Sequence, residues 1–303
     1  MKKVQERTWR QAEKLANQER LALLESTRRD IFDILQKAKE QVATMLASQP
    51  SDYQYWRLIE LNAEIERLLG EIGQTAGNVI SNAAGRAWEG GQAAIENAFK
   101  AATIQASFNR LDTKQLMAMR TFMVDRIKNV TVEAASKIKS ELGMALIGGQ
   151  NINETIANVA SHLGDSATSR AKTIVGTELS RVWATASYER AVEADSNGVE
   201  MDKIWRRSGK IHSRLAHDLA DGKRIKLSES FTINGHKLRY PHDPKAPASE
   251  TVNCGCIVLY RPRGLSGTLP DKRPFTEQEL ALNPYKEQIA RGKSLSELLG
   301  GDK

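Results

Sequence analysis

Leu58, Leu61, Ile65, Leu68 and Ile72 follow one another at alternating steps of three and four, and the stripe continues through Ala76, Val79, Ala83 and Ala87. That spacing keeps one face of a 3.6-residue helix apolar for about eight turns. A face this long has to be buried, so this part of the chain must fold as packed helices. Large side chains give way to alanine and glycine along it, which predicts helices that approach more closely toward its end. Gly70, Gly73, Gly77, Gly85, Gly90 and Gly91 each lower helix propensity by about 1 kcal/mol relative to alanine. The segment therefore depends on partners and is expected to bend or break near Gly90-Gly91. Its regularity is compatible with a short coiled coil but fades before one is required.

The same period governs the flanking segments. Glu6 to Ala47 reads as one or two helices with Ile31, Leu35, Ala38, Val42 and Met45 on one face, stopped by Ser48-Gln49-Pro50-Ser51. A helix over Thr113 to Leu146 aligns Leu116, Met119, Met123, Ile127 and Val130, with the methionines as core filler. Gly148-Gly149-Gln150-Asn151 breaks the chain before a short helix over Ile152 to His162, where His162 reads as a surface or core histidine rather than a ligand. Ser166 to Glu193 is the last long helix, and Asp195-Ser196-Asn197-Gly198 is a turn.

Beyond that turn the periodicity shortens. Phe231-Thr232-Ile233 and His236 to Tyr240 flank Asn234-Gly235, the pair that supplies the positive backbone angles of a tight hairpin. Pro241, Pro244 and Pro247 mark an irregular loop, and Ile257 to Tyr260 reads as a strand. Arg261 to Arg273 is a Gly/Pro-rich linker. Thr276 and Glu279 form a capping box opening the first of two short closing helices, and the last, Ser294 to Leu299, is too short to stand alone. The expected fold is α+β. It comprises a helical region over 1–150, a mixed domain with a β-hairpin over 151–260, and a linker with short helices over 261–303.

With 303 residues, 40% hydrophobic and 27% charged, the chain reads as a globular protein of two domains rather than a disordered one. Its longest apolar window, Leu142 to Ile147, is far too short for a membrane span, and Met1 to Arg10 lacks the apolar run of a signal peptide. A non-secreted protein with no membrane partner is expected. Two cysteines one residue apart argue against a disulfide scaffold and for a reducing compartment. The net charge of +7 is modest, and most Lys and Arg alternate with Glu and Asp as on solvated helix faces. Local basic groups stand at Arg206-Arg207 with Lys210 and Arg214, and at Lys223-Arg224 with Lys226.

The chemistry concentrates late in the chain: Trp205, His212, Arg214, His217, Asp221-Gly222, His236, His242, Asp243, Asn253, Cys254 and Cys256. Three arrangements fit them. His217, Cys254 and Cys256 with His242, His212 or Asp243 would give a tetrahedral metal four ligands, although Cys-x-Cys is looser than the usual two-residue spacing. More plainly, the cysteines lie buried on one strand face with the histidines bonded to backbone or carboxylates. In the third arrangement a catalytic thiol pairs with His217. The sequence demands no cofactor; a structural zinc is the one candidate.

The segment Trp205 to Cys256 resembles the conserved domain of the phage minor head protein family, the Mu F-like and SPP1 head morphogenesis proteins. Trp205 stands at the family's tryptophan, Arg214 at its second arginine, and His217 at its histidine, with Asp221-Gly222 following. Phe231 precedes the loop His242-Asp243-Pro244, and Glu250 precedes Asn253-Cys254-Gly255-Cys256. Upstream, Arg170-Ala171 and Thr177-Glu178 match a family helix, with Gly176 in place of an arginine. Ile211, His212 and Gly255 depart from the family pattern.

The resemblance implies a minor capsid protein, present in few copies at the portal vertex and serving head assembly and DNA packaging or delivery. It would be made in the host bacterial cytoplasm and reside in the procapsid or virion interior. Its partners would be the portal protein, scaffold or major capsid protein, with weak non-specific contact to packaged DNA and no enzymatic activity. In that setting Cys254, Cys256 and His217 would hold the C-terminal strand to the preceding helix or loop. Asp243 would bond to Arg214 or orient His217, while Trp205 and Phe231 would be core. Two rivals remain: a toxin-like enzyme using His217, Arg214 and Glu178, and a non-specific DNA-binding protein. Against the enzyme stand the lack of a glycine-rich phosphate loop and the short stretch after the module.

Overall fold

A computed structural model of the chain describes residues 2–48, 55–146, 152–265 and 272–299. The expected stops at Gln49-Pro50-Ser51 and Gly148 to Asn151, and the middle of the 261–273 linker, lie outside those residues. Long helices come first: α1 (Lys2–Ala47), α2 (Tyr55–Ala101), α3 (Lys114–Leu146), α4 (Ile152–Ser161) and α5 (Ala167–Ser196). A π-helical turn, His162–Ser166, joins α4 to α5. The mixed part follows as β1 (Met201–Arg206), α6 (Leu215–Leu219), β2 (Arg224–Lys226), β3 (Phe231–Ile233), β4 (His236–Leu238), α7 (Ala248–Thr251) and β5 (Ile257–Pro262). Short helices α8 (Glu277–Leu282), α9 (Pro284–Ala290) and α10 (Leu295–Leu298) close the chain. None of the described helices is long and apolar enough to cross a membrane.

Contacts divide the chain into two units, each discontinuous in sequence. One comprises Ala22–Arg86 and Thr113–Leu179, and its described elements are all helices. Its core joins Ala38, Val42 and Leu46 of α1 to Leu61, Ile65 and Leu69 of α2, with Ala134, Ile138 and Leu142 of α3 and Val159 and Leu163 beyond. Each large side chain buried in this way contributes about 1.5–3 kcal/mol. The buried face differs by one residue from the expected stripe on both long helices. Leu46 rather than Met45, and Leu69 rather than Leu68, are fully enclosed. Leu61, Ile65 and Leu69 stand at four-residue steps, the spacing of a packing ridge, and all three are buried in this core. His162 is half-buried and bonds to Glu141 at 3.0 Å.

The other unit comprises Met1–Leu21, Ala87–Asp112 and Ser180–Lys303. Its antiparallel sheet runs β2-β1-β5, with Lys203 opposite Ile225 on one side and Tyr260 on the other. The hairpin β3–β4 pairs Phe231 with Leu238, and Asn234 and Gly235 turn it at φ 48° and 77°, as the Asn-Gly pair requires. One core of this unit joins Trp9 of α1, Ile95 and Phe99 of α2 and Ala191 of α5 to Met201 and Tyr260 of the sheet. Trp9 stands edge-on to Phe99, and its Nε1 donates to the Tyr260 carbonyl at 3.1 Å. The start of the first helix thereby closes over the strand that follows the cysteines.

The C-terminal segment is tied to the same unit by a buried ion cluster. Arg207 donates to both Glu279 carboxylate oxygens, at 2.5 and 3.2 Å, and Lys286 reaches one of them at 2.8 Å. Thr276 and Glu279 form the expected capping box, and Leu298 is buried, so the last helix docks.

Helix α2 does not break at Gly90-Gly91, contrary to expectation. A Cβ on Gly90 would strike the Trp183 ring, and one on Gly91 would strike the Trp183 carbonyl and the Ala186 methyl. Ser187 Oγ also donates to the Gly91 carbonyl at 2.9 Å. The glycines admit a neighbouring helix rather than a bend, and the tertiary contact outweighs their low propensity. Gly91→Ala is therefore expected to destabilise by about 1–3 kcal/mol. Gly70→Ala, on the same helix with nothing within 4 Å of the new methyl, should stabilise by about 0.5–1 kcal/mol. Urea unfolding of the two variants checks this; equal effects would contradict it.

Candidate metal centre

Helix α6 is only five residues long, yet it places one imidazole at the centre of the module. His217 is buried, and its Nδ1 lies 3.5 Å from Cys254 Sγ and 3.6 Å from Cys256 Sγ. Its Nε2 bonds to Glu250 Oε2 at 2.8 Å. Glu250 comes from α7, and its other oxygen accepts from Asn234 Nδ2 at 3.2 Å, in the hairpin turn. One histidine thus links α6 to α7, to the hairpin and to the start of β5. Trp205 and Phe231 wall the site: both are fully buried, with Trp205 edge-on to His217 and to Phe231, each at 5.3 Å.

The loop that carries the sulfurs is shaped by its neighbours. Asn253 sits at φ 55°, and Lys210 Nζ donates to its carbonyl at 2.6 Å. Arg214 donates to the Val252 carbonyl at 2.8 Å. A side chain on Gly255 would meet Ser208 and Lys210. The Cys256 amide donates to Cys254 Sγ at 3.4 Å. An open cavity of about 260 Å³ lies over the sulfurs and His217, rimmed by Lys210, His212 and Arg214.

The electrostatics split the two thiols. The hydrogen bond with Cys256, then the imidazoles of His242 and His217, hold Cys254 well below the usual thiol range despite burial. The same hydrogen bond, with burial, pushes Cys256 up. Burial opposes a charged His217, but Cys254 and the Glu250 carboxylate outweigh it and raise its pKa. For Glu250, burial is overcome by its bond to His217, and its pKa falls. A carboxylate on the far nitrogen of a histidine is the arrangement that fixes a metal-ligating ring and raises its basicity.

The remaining expected residues divide between roles. Asp243 neither bonds to Arg214 nor orients His217. Arg239 holds it with Nε at 2.9 Å and NH2 at 2.7 Å, and its own loop donates two amides, because four residues separate the pair and the loop folds back on itself. Glu250 takes the orienting role, and its position before Asn253 was the only sequence signal for it. Asp221 accepts from the Arg207 amide at 2.9 Å, while Gly222, at φ 79°, donates to the Trp205 carbonyl at 2.9 Å. Glu178 is buried and paired with Arg126 at 3.0 Å. His212 and His236 are exposed, whereas His242 is buried. Arg207, read as part of a basic group, is enclosed against Glu279.

The family described as Phage Mu protein F like protein matches residues 136–259. That stretch of the chain is similar to the family's domain. Minor head protein GP7 of Bacillus phage SPP1 is 26% identical over 147 residues, 47% of this chain and 44% of that protein. Uncharacterized protein YqbB of Bacillus subtilis (strain 168) is 32% identical over 119 residues, 38% of each chain. NAD(+)--arginine ADP-ribosyltransferase EFV of Enterococcus faecalis is 29% identical over 137 residues, 45% of this chain and 28% of that protein. The chain thus spans less than half the length of each of these curated relatives. No solved structure matches.

Lys203, within the matched stretch, is a second buried polar group. It is fully enclosed, and its ammonium lies over the rings of Tyr188 and Phe231 at 5.3 and 5.6 Å, without a hydrogen-bond partner. Burial, reinforced by Arg239, brings its pKa from 10.5 down to about 8. Between those values the unfolded chain holds a proton that the folded chain has released, so stability rises with pH there and the penalty is complete below about pH 8. Lys203→Met should be at least as stable as the wild type at about pH 7 and should flatten the rise between about pH 8 and 9.5. Urea unfolding across that range checks this. A variant that loses stability at neutral pH and keeps the slope would contradict it.

Proposed function

We propose that this chain is a minor component of a tailed-phage head, acting structurally at the portal vertex in head assembly and in DNA packaging or delivery. The observation that carries the reading is the Mu F-like match across residues 136–259, joined by the likeness to a phage minor head protein. The build of the domain supports it. His217, Glu250, Asp221 and Asp243 are buried and bonded within the module, which suits a rigid presenting surface. The portal protein, with scaffold or major capsid protein beside it, is the partner this role requires. Contact with packaged DNA would run through phosphates and stay weak, since Arg207 is enclosed and Lys210 and Arg214 already bond to backbone carbonyls.

We read the chain as non-enzymatic. The enterococcal relative's name raises ADP-ribosyl transfer, but the match covers 28% of that protein. Glu178, the acid an enzyme reading would enlist, is engaged with Arg126. Quantitative mass spectrometry of purified procapsids and mature particles tests the head role. A few copies per portal in both are expected. Absence from both, with the protein free in the cytosol, would overturn the reading.

A further inference from the structure

We propose that the C-terminal module binds a structural zinc ion through His217 Nδ1, Cys254 Sγ, Cys256 Sγ and, as fourth ligand, His242. The inference stands apart from the role in the head, because it rests on the site's own geometry.

The three inner ligands already lie where the ion needs them. All their donor atoms fall within 4.8 Å of one another, and all three residues are buried. Zinc–sulfur bonds of about 2.3 Å and zinc–nitrogen bonds of about 2.0–2.1 Å at a tetrahedral angle put nitrogen and sulfur about 3.5–3.6 Å apart. The observed separations are 3.5 and 3.6 Å. A single N–H could reach both sulfurs only through a weak three-centre bond; a cation between the three donors would engage all of them fully. A catalytic thiol would require one sulfur on that nitrogen, not two.

His242 supplies the second, independent observation. It is 1% exposed, and no oxygen or nitrogen of the protein pairs with either ring nitrogen. A buried imidazole without such partners is costly, and native folds rarely tolerate one without a purpose. Its imidazole has Cys254 Sγ as its hydrogen-bond neighbour instead. It stands outside the 4.8 Å trio, so closing on the ion takes a side-chain rotation. Its backbone is also held in the left-handed region, at φ 66°, as is that of Asn253 beside Cys254. Non-glycine residues are kept there only where the surroundings fix them; for His242, Arg181 Nε donates to its carbonyl at 3.3 Å. The alternative ligand, His212, is exposed on the rim of the open cavity and has water available. That cavity gives the ion its way in.

Two thiolates and two neutral imidazoles balance the charge of the ion, so the buried site is left neutral. Binding releases the protons that the sulfurs and His217 Nδ1 hold. Glu250 remains on His217 Nε2 as the group that fixes the ring.

The test uses the full chain, purified and reconstituted with Zn²⁺ under reducing conditions, with metal read by elemental mass spectrometry. One zinc per chain is expected, and Cys254→Ser and Cys256→Ser should lose it. His242→Ala should weaken binding by about 10–100-fold in competition with a chromophoric chelator, while His212→Ala should match the wild type. Because the cysteine variants can fail to fold, Co²⁺ is also loaded into the wild-type chain. Thiolate charge-transfer bands and the intense visible bands of tetrahedral cobalt are expected. A wild-type chain that takes up neither metal, or cysteine variants that keep full zinc, would overturn the site. Weakening by His212→Ala with none by His242→Ala would overturn the assignment of the fourth ligand.

Discussion

His217 engages both ring nitrogens at once, one on a carboxylate and the other between two sulfurs, and the C-terminal module is organised around that double engagement. The elements it joins are too short to persist alone. Helices α6 and α7 have five and four residues, and the hairpin strands have three each. Helices of one turn and isolated hairpins are marginal in water. What holds them is the aromatic wall of Trp205 and Phe231 together with buried polar bonds. Networks of that kind stabilise when every member is satisfied and destabilise when one is not.

Much of the fold was legible because it follows from period and turn chemistry. The apolar stripes of α1, α2 and α3, the Asn234-Gly235 hairpin, the strand after the cysteines and the Thr276–Glu279 cap are local statements, and the structure builds each of them. Spacing could not say which ridge of a helix seats in its neighbour, so Leu69 and Leu46 were missed beside Leu68 and Met45. Propensity read Gly90-Gly91 as a weakness, whereas the Trp183 ring makes them a requirement.

The candidate site was legible in its residues but not in its bonds. His217, Cys254 and Cys256 could be grouped from composition and order. That Glu250 rather than Asp243 would face His217, and that Arg239 would take Asp243, depends on how a proline-rich loop closes. The Arg207–Glu279–Lys286 cluster and the bond from Trp9 to Tyr260 join positions far apart in the chain. Long-range pairings of that kind leave no periodic trace. They also explain how a small module with little regular structure holds together.

The central claim is that His217 transmits stability between the carboxylate and the sulfurs. A double-mutant cycle between Glu250→Gln and Cys254→Ser, read as unfolding free energy in urea, tests it most directly, because the two side chains act on opposite sides of the same ring. Coupling through His217 predicts an interaction energy of about 1 kcal/mol or more. Effects that add to within about 0.5 kcal/mol would show that the two sides of the ring act independently, and would contradict the account.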